Sequence, residues 1–340
     1  MESDKVIEAT APARIDLAGG TLDLWPLHVL HPGSSTVNLA IDRFAGCRVR
    51  RSDARLRVFS RDGTVEKRAG SAAELLEDAR TALVGSLLEA LEIREPLEIE
   101  YWSGVPFGSG LGGSSALTVA LMGALESVSP RDLMGVDRVD FVRDVETRVL
   151  CKPAGVQDYY PPLEGGVHVI TFRAGRTTSL RIPADADRWE KHLTLFDSGV
   201  SHSSGMNNWQ ILRARLEGDQ AVAENLEGVR RAAEAMSEAV RLSDFPRMGK
   251  ALGEEWQARR RLAPVVSTPL IERAIAAAVE AGAWGGKACG AGGGGCVVFL
   301  SPPDRTGEVR RALSQLGEGK VVPVRVVEEG LKVQVIGGRS

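Results

Sequence analysis

The sequence predicts a two-domain α/β sandwich of the α+β class, and three observations predict it. The 340 residues, 43% of them hydrophobic, can bury one large core or two modest ones, and this length favours two. Through the first half, strand-like alternation is interleaved with helical spacing. Near HLTLFDSGVSHSSG the character changes to long, charged helical segments, which sets the units at 1–185 and 186–340.

The elements follow in order. VIEATAPARIDLAG alternates apolar positions and stops at Gly19 and Gly20, a strand running into a turn. TVNLAIDRFAGCRVRRS and ARLRVFSRDG continue as strands, and AAELLEDARTALVGSLLEALEI has the spacing of one helix. LEIEYWSGVP is a strand that leads into PFGSGLGGSSAL, and SSALTVALMGALESV, apolar on nearly every face, is a helix inside a core. DRVDFVRDVETRVL presents Val142, Val145 and Val149 on one stripe; CKPAGVQDYYPPLEGGVHVITF is irregular and then a strand. NNWQILRARLEGD, AVAENLEGVRRAAEAMSEAVRLSD and FPRMGKALGEEWQARRRLA read as amphipathic surface helices. IERAIAAAVEAGAWGGKACGAGGGGCVVFL is helix, glycine-rich turn and strand, and VVPVRVVEEGLKVQVI supplies closing strands.

Composition excludes several function classes. Lys and Arg total 42 against 45 Asp and Glu, a formal charge of −3, which gives no footprint for nucleic acid. No stretch approaches the roughly 20 apolar residues of a membrane span. The opening MESDKVIEATAPARID lacks the basic-then-apolar layout of a signal peptide, so a cytoplasmic protein with no membrane partner is expected, as monomer or homodimer. Cys47, Cys151, Cys289 and Cys296 show no CxxC spacing, which argues for buried thiols over zinc or disulfides.

The stretch PFGSGLGGSSAL allows three readings. A Gly/Ser linker would separate independent units, but this one joins a strand to a core helix. Gly108, Gly110 and Gly113 satisfy GxGxxG, yet the second strand ending in an acidic residue is missing, which weighs against a Rossmann dehydrogenase. A triphosphate cradle uses more of the residues: glycines let backbone N–H groups approach phosphate, and a helix starting near Ser114 offers its positive end. The pattern is not GxxxxGK[ST], so a P-loop is excluded. A tight turn with Ser114 or Ser115 as ordinary N-cap stays open.

At these residues the chain resembles the GHMP small-molecule kinases, the family of galactokinase, homoserine kinase and mevalonate kinase. PFGSGLGGSSA is similar to the family's second motif, with Gly113 where a serine usually lies; APARIDLAGGTLD resembles the first motif and GGKACGAGGGGCVVF the third. The three span residues 11 to 299 in the expected order. The resemblance implies a ribosomal-protein-S5-domain-2-like N-terminal domain, a ferredoxin-like C-terminal domain, and ATP with Mg²⁺ in the cleft between them. It implies an ATP cradle of Pro106, Gly108, Ser109, Gly110, Leu111, Gly112, Gly113, Ser114 and Ser115, with Ser114 reaching Mg²⁺ and Ser115 as the other register.

Phosphoryl transfer needs charge neutralisation and a group that orients or deprotonates the attacking hydroxyl, and carboxylates suit both tasks. Helical spacing puts Glu146 on or beside the apolar stripe, where a buried carboxylate needs a cation or donors; the resemblance makes it a Mg²⁺ ligand, the alternative being an edge residue reaching water. KPAGVQD is similar to the family segment that ends in the catalytic aspartate, which implies Asp158 for that role, with Gln157 beside it; an Asx turn is the alternative. Arg14 and Asp23 are spaced like the arginine and aspartate of galactokinase-like patterns. By that resemblance Arg14 stabilises charge around Asp158 and the γ-phosphate, and Asp23 accepts from sugar hydroxyls. A strand-edge salt bridge and a helix cap are their alternatives.

Gly20 and Thr21 depart from galactokinase. DLAGGTLD resembles the bacterial heptose-phosphate kinase branch, whose members phosphorylate the anomeric hydroxyl of a sugar phosphate, so the acceptor side is expected at Gly20, Thr21, Asp23, Gln157, Asp158, Gly292 and Gly293. The activity implied is an ATP-dependent sugar or sugar-phosphate kinase, with a mevalonate-type kinase or a non-catalytic ATP-binding regulator as rivals. His28 and His31 lack a partner constellation and read as packing or surface residues, and His202 is a candidate for the cleft. GAGGGG offers close backbone approach and no titratable group beyond Lys287; the Arg259, Arg260, Arg261 run reads as a solvated helix face rather than a phosphate grip.

Overall fold

The computed structural model describes residues 5–52, 54–106, 108–131, 133–200 and 204–337, the side chains of 204–207 excepted. The chain runs through β1 (Val6–Ala18), α1 (Leu27–Leu30), β2 (Ser35–Arg51), β3 (Leu56–Ser60), β4 (Glu66–Ala69), α2 (Ala72–Leu76), α3 (Ala82–Ala90) and β5 (Leu97–Trp102). It continues with α4 (Gly113–Glu126), α5 (Arg138–Leu150), α6 (Tyr160–Glu164), β6 (Val167–Arg173), β7 (Arg176–Ile182), α7 (Ala186–His192) and β8 (Leu193–Asp197). The remainder is α8 (Ser204–Leu216), α9 (Gln220–Arg241), α10 (Phe245–Arg259), α11 (Pro269–Glu280), β9 (Gly285–Ala288), β10 (Cys296–Leu300), α12 (Thr306–Ser314), β11 (Lys320–Val322) and β12 (Lys332–Ile336).

Two sheets result, in the α+β manner expected. The first has the order β12-β1-β2-β5-β3-β4, with β6 and β7 extending from the start of β2. The second is β11-β8-β10-β9, its neighbours all antiparallel. α2 to α5 close one core on the first sheet, with Leu87, Val119, Leu121, Met122 and Val142 at its centre. A second core lies where β1 and β2 meet α9, α10, β8 and β10, and there Ala13, Ile15 and Leu17 of β1 are buried. Because strand residues alternate, Arg14 and Asp16 are turned to the other side. That single strand carries both the packing that joins the halves and two buried charges, Arg14 and Asp16.

Three expectations need correcting. AAELLEDARTALVGSLLEALEI is not one helix: Asp78 accepts from the Arg80 backbone N–H at 3.0 Å, and the Thr81 hydroxyl donates to the Leu75 carbonyl at 2.8 Å. This local Asx turn competes with the helix and splits it into α2 and α3. The end of the chain does not stay with the second unit of 186–340, since β12 pairs antiparallel with β1. There it covers an edge that β1 would otherwise expose. Cys47, Cys289 and Cys296 are buried thiols as expected, but Cys151 is exposed at the end of α5. Among the described residues no helix is long and apolar enough to cross a membrane.

Candidate functional site

The glycine loop between β5 and α4 is built on left-handed backbone: φ is +74° at Gly108, +77° at Gly110 and +70° at Gly112. Side chains are excluded there for a second reason. A Cβ on Gly110 would lie 2.4 Å from the Cys289 carbonyl oxygen. The turn between β9 and β10 therefore lies flat under the loop, and Cys296 N–H donates to the Ser109 carbonyl at 2.8 Å. Gly112 is the N-cap of α4 and offers no side chain, so neither Ser114 nor Ser115 caps the helix. No side chain caps the first-turn amides of α4, an arrangement that suits an anion.

Arg14 ties this loop to the next segment. Its backbone N–H donates to the Leu111 carbonyl at 2.9 Å, and Nη1 donates to the Gly110 carbonyl at 2.5 Å. Nε and Nη2 reach the two oxygens of Asp158 at 2.8 and 2.9 Å, a bidentate pair. Arg14 is 4% exposed and Asp158 30%, so the carboxylate is the member that meets the cleft. Burial works against the guanidinium charge, but Asp158 outweighs it and holds Arg14 firmly protonated.

Glu146 is buried on the apolar stripe of α5, as its spacing predicted. The hydroxyl of Ser114 donates to it at 2.7 Å, that of Ser115 at 3.4 Å, and that of Tyr159 makes a short bond. Burial, with the Asp158 charge adding, pushes its carboxyl above the usual range despite these donors. A divalent cation fits here on the donor chemistry. Ser114 is exposed and adjoins Glu146, and a small hard cation takes one or two such oxygens while phosphates and water complete its shell. Among the described residues no group of three or more His, Cys, Asp or Glu could hold a metal unaided.

Asp23 faces the same space from the other side. It is buried, and it accepts from the Gln157 backbone N–H at 3.2 Å and from Gln157 Nε2 at 3.4 Å. Asn38 in turn donates to Gln157 Oε1 at 3.1 Å. Burial and the charge of Asp158 push the Asp23 carboxyl up to about 7. Gly155 is there because its Cβ would sit 1.8 Å from Asp23 Oδ2.

Beneath the loop of residues 19–23 lies a buried ionic cluster. Lys287 Nζ is 3.0 Å from Asp16 and 3.3 Å from Glu255, and Arg259 Nη2 is 2.6 Å from Glu255. Arg259 is thus not on a solvated face: it is 1% exposed and donates to the Gly20 carbonyl at 2.6 Å and to the Thr21 hydroxyl at 3.2 Å. Arg260 pairs with Glu272 and Arg261 is exposed. The opposing charges keep Asp16 ionised although burial opposes it.

Arg14, Asp23, Glu146, Gln157, Asp158, Ser114 and Ser115 are thus linked by direct contacts or by Tyr159 and the glycine loop. Gly292 and Gly293 lie in the turn between β9 and β10, the turn that packs against the glycine loop. A Cβ on Gly292 would meet the Val266 carbonyl, and the Gly293 N–H already donates to that oxygen at 2.7 Å. Both glycines are thereby held against the chain at Val266. His28 packs near Phe172, and His31 is buried, accepting from Arg215 Nε at 3.1 Å. His202 lies outside the described residues. Sequence reasoning missed Asp16, Asn38, Tyr159, Asn208, Glu255 and the placement of Arg259. The four-residue spacing of Glu255 and Arg259 was the one available signal.

Residues 71–166 match the family model described as GHMP kinases N terminal domain, and residues 232–319 match that described as GHMP kinases C terminal, together more than half of the chain. The chain is 26% identical to D-glycero-alpha-D-manno-heptose 7-phosphate kinase of Campylobacter jejuni, over 96% of its own length and 98% of that protein's. It is 28% identical to mevalonate kinase of Thermococcus gammatolerans over 78% of each chain. Its fold superposes on a D-glycero-D-manno-heptose 1-phosphate kinase from Bacteroides thetaiotaomicron with a TM-score of 0.75 at 22% identity, covering 97% of this chain and 99% of that one.

Proposed function

The chain belongs to the GHMP kinases, and from that premise and the geometry of the cleft we propose an ATP-dependent kinase that phosphorylates a hydroxyl of a sugar or sugar phosphate. The favoured acceptor is the anomeric hydroxyl of a heptose phosphate. The bidentate Arg14–Asp158 pair at the mouth of the glycine loop carries this reading. It sets a carboxylate where an acceptor hydroxyl would approach and a fixed cation against the loop that would hold the phosphates.

In the reaction, the acceptor oxygen forms a bond to the γ-phosphorus as the bond to the departing diphosphate breaks. The hydroxyl proton passes toward Asp158, which orients or removes it. The amides of Gly108 to Ser115 cradle the triphosphate. Mg²⁺, when held by Ser114 and Glu146, supplies the positive charge that neutralises the phosphate oxygens. Asp23, fixed by Gln157, accepts hydrogen bonds from acceptor hydroxyls, and Gly20 and Thr21 shape that side.

A mevalonate-type acceptor is the second reading, supported by the match to mevalonate kinases. The heptose reading is favoured because its relative is matched over nearly the whole of both chains, whereas the mevalonate kinase match covers 78%. The test is acceptor-dependent ADP release across heptose phosphates, hexoses, uronic acids and mevalonate. Turnover with a heptose phosphate is expected. Selective turnover of mevalonate transfers the assignment, and ATP binding without transfer to any acceptor defeats it in favour of a regulator.

A further inference from the structure

We propose that Arg259 is a positioning residue, which holds the loop of residues 19–23 in the shape that presents Asp23 to the acceptor; this rests on the kinase reading above. The loop adopts a backbone that glycine tolerates at Gly19 but that Thr21 disfavours. Gly19 has φ +88°, and Thr21, a β-branched residue, has φ +76°. Such a conformation persists only where surrounding contacts over-determine it. Those contacts come from α10, more than 200 residues away in the chain. Arg259 donates to the Gly20 carbonyl and the Thr21 hydroxyl, and the Thr21 hydroxyl donates on to Asn208 of α8 at 2.9 Å.

The guanidinium is itself held. Its Nε and Nη2 meet Glu255, which is 0% exposed, and Lys287 bridges Glu255 to Asp16. Asp16 closes the circuit, since a Cβ on Gly20 would lie 2.5 Å from its Oδ2. All three guanidinium nitrogens are engaged and the group is buried, so Arg259 is not placed to grip a substrate phosphate. Buried ion clusters seldom repay their desolvation in stability alone. Here the charges fix a planar, bidentate donor against a strained loop, a task for which lysine is a poor substitute.

The test compares the purified full chain with Arg259→Met, Arg259→Lys and Glu255→Gln by steady-state kinetics against both substrates. Arg259→Met is expected to raise the acceptor KM by about tenfold or more, the loss of one or two hydrogen bonds' worth of placement, while the ATP KM stays within about twofold. Arg259→Lys should fall between. Should Arg259→Met fail to fold, Glu255→Gln, which keeps an acceptor but weakens the anchor, is expected to raise the acceptor KM in the same selective way. Wild-type turnover with unchanged acceptor KM in folded Glu255→Gln and Arg259→Lys overturns the proposal alone, as do both KM values rising together. A wild-type protein without turnover on any acceptor instead overturns the kinase reading on which it rests.

Discussion

Asp23→Asn exposes the electrostatics of the cleft through stability, without any substrate. In the folded protein the Asp23 carboxyl is raised from 3.8 to about 7 by burial and the Asp158 charge. Between those values the unfolded chain releases the proton and the folded chain keeps it. The unfolded state binds fewer protons, so this group makes stability fall as pH rises through the window, and level off above about 7. A shift of about 3 units at 1.36 kcal/mol each amounts to about 4 kcal/mol, an upper bound for a group this buried. Asparagine cannot ionise and escapes the penalty. Its amide keeps only one of the two acceptor positions facing Gln157, which costs about 1 kcal/mol at every pH. Urea unfolding of both proteins from about pH 5 to about pH 8 should therefore show the variant gaining on wild type by about 1.4 kcal/mol per pH unit, up to about pH 7. A difference that does not change with pH would refute the coupling of Asp23 to its buried site.

Three further outcomes follow from the same geometry. Asp158→Asn should lower kcat by on the order of 10²-fold or more with ATP affinity nearly intact, as measured by single-turnover kinetics and nucleotide titration; near-normal turnover would remove Asp158 from the chemistry. Ser114→Ala should raise the Mg²⁺ concentration needed for half-maximal activity more than Ser115→Ala does, because Ser114 is the exposed hydroxyl and lies 2.7 Å from Glu146 against 3.4 Å; the reverse order would exchange their roles. Gly110→Ala combines a left-handed φ with a Cβ 2.4 Å from the Cys289 carbonyl, so it should weaken ATP binding by about tenfold or more in calorimetry, and wild-type affinity would show that the loop has room to shift.

The periodicity of α5 was legible because burial on one stripe depends on local spacing, and it placed Glu146 correctly. The glycine loop was legible for a related reason: positive φ and close backbone approach leave glycine as the residue of choice, so the constraint is written at each position. The split between α2 and α3 was not, although Asp78 and Thr81 carried it, because turn and helix compete within the same few residues. The return of β12 to β1 was hidden as well. Strand partners are chosen by pairing across the chain, and KVQVI has the same alternation whichever edge it joins.

Arg259 marks the boundary between the two kinds of information most sharply. By sequence it belongs to a basic run on an amphipathic helix, yet it ends up buried against Gly20 and Thr21. The sequence by itself determined the α+β class and the glycine loop, which rest on local periodicity and backbone requirements, and its ordered motifs singled out Arg14, Asp23, Glu146 and Asp158 as candidates. Only the tertiary structure supplied the contacts themselves and their burial. It paired Arg14 with Asp158, set Ser114 on Glu146, raised the Asp23 carboxyl by burial and drew Arg259 beneath the loop of residues 19–23. Desolvation and Coulomb energy depend on distances through space, and those exist only once strands and helices remote in the chain have packed together.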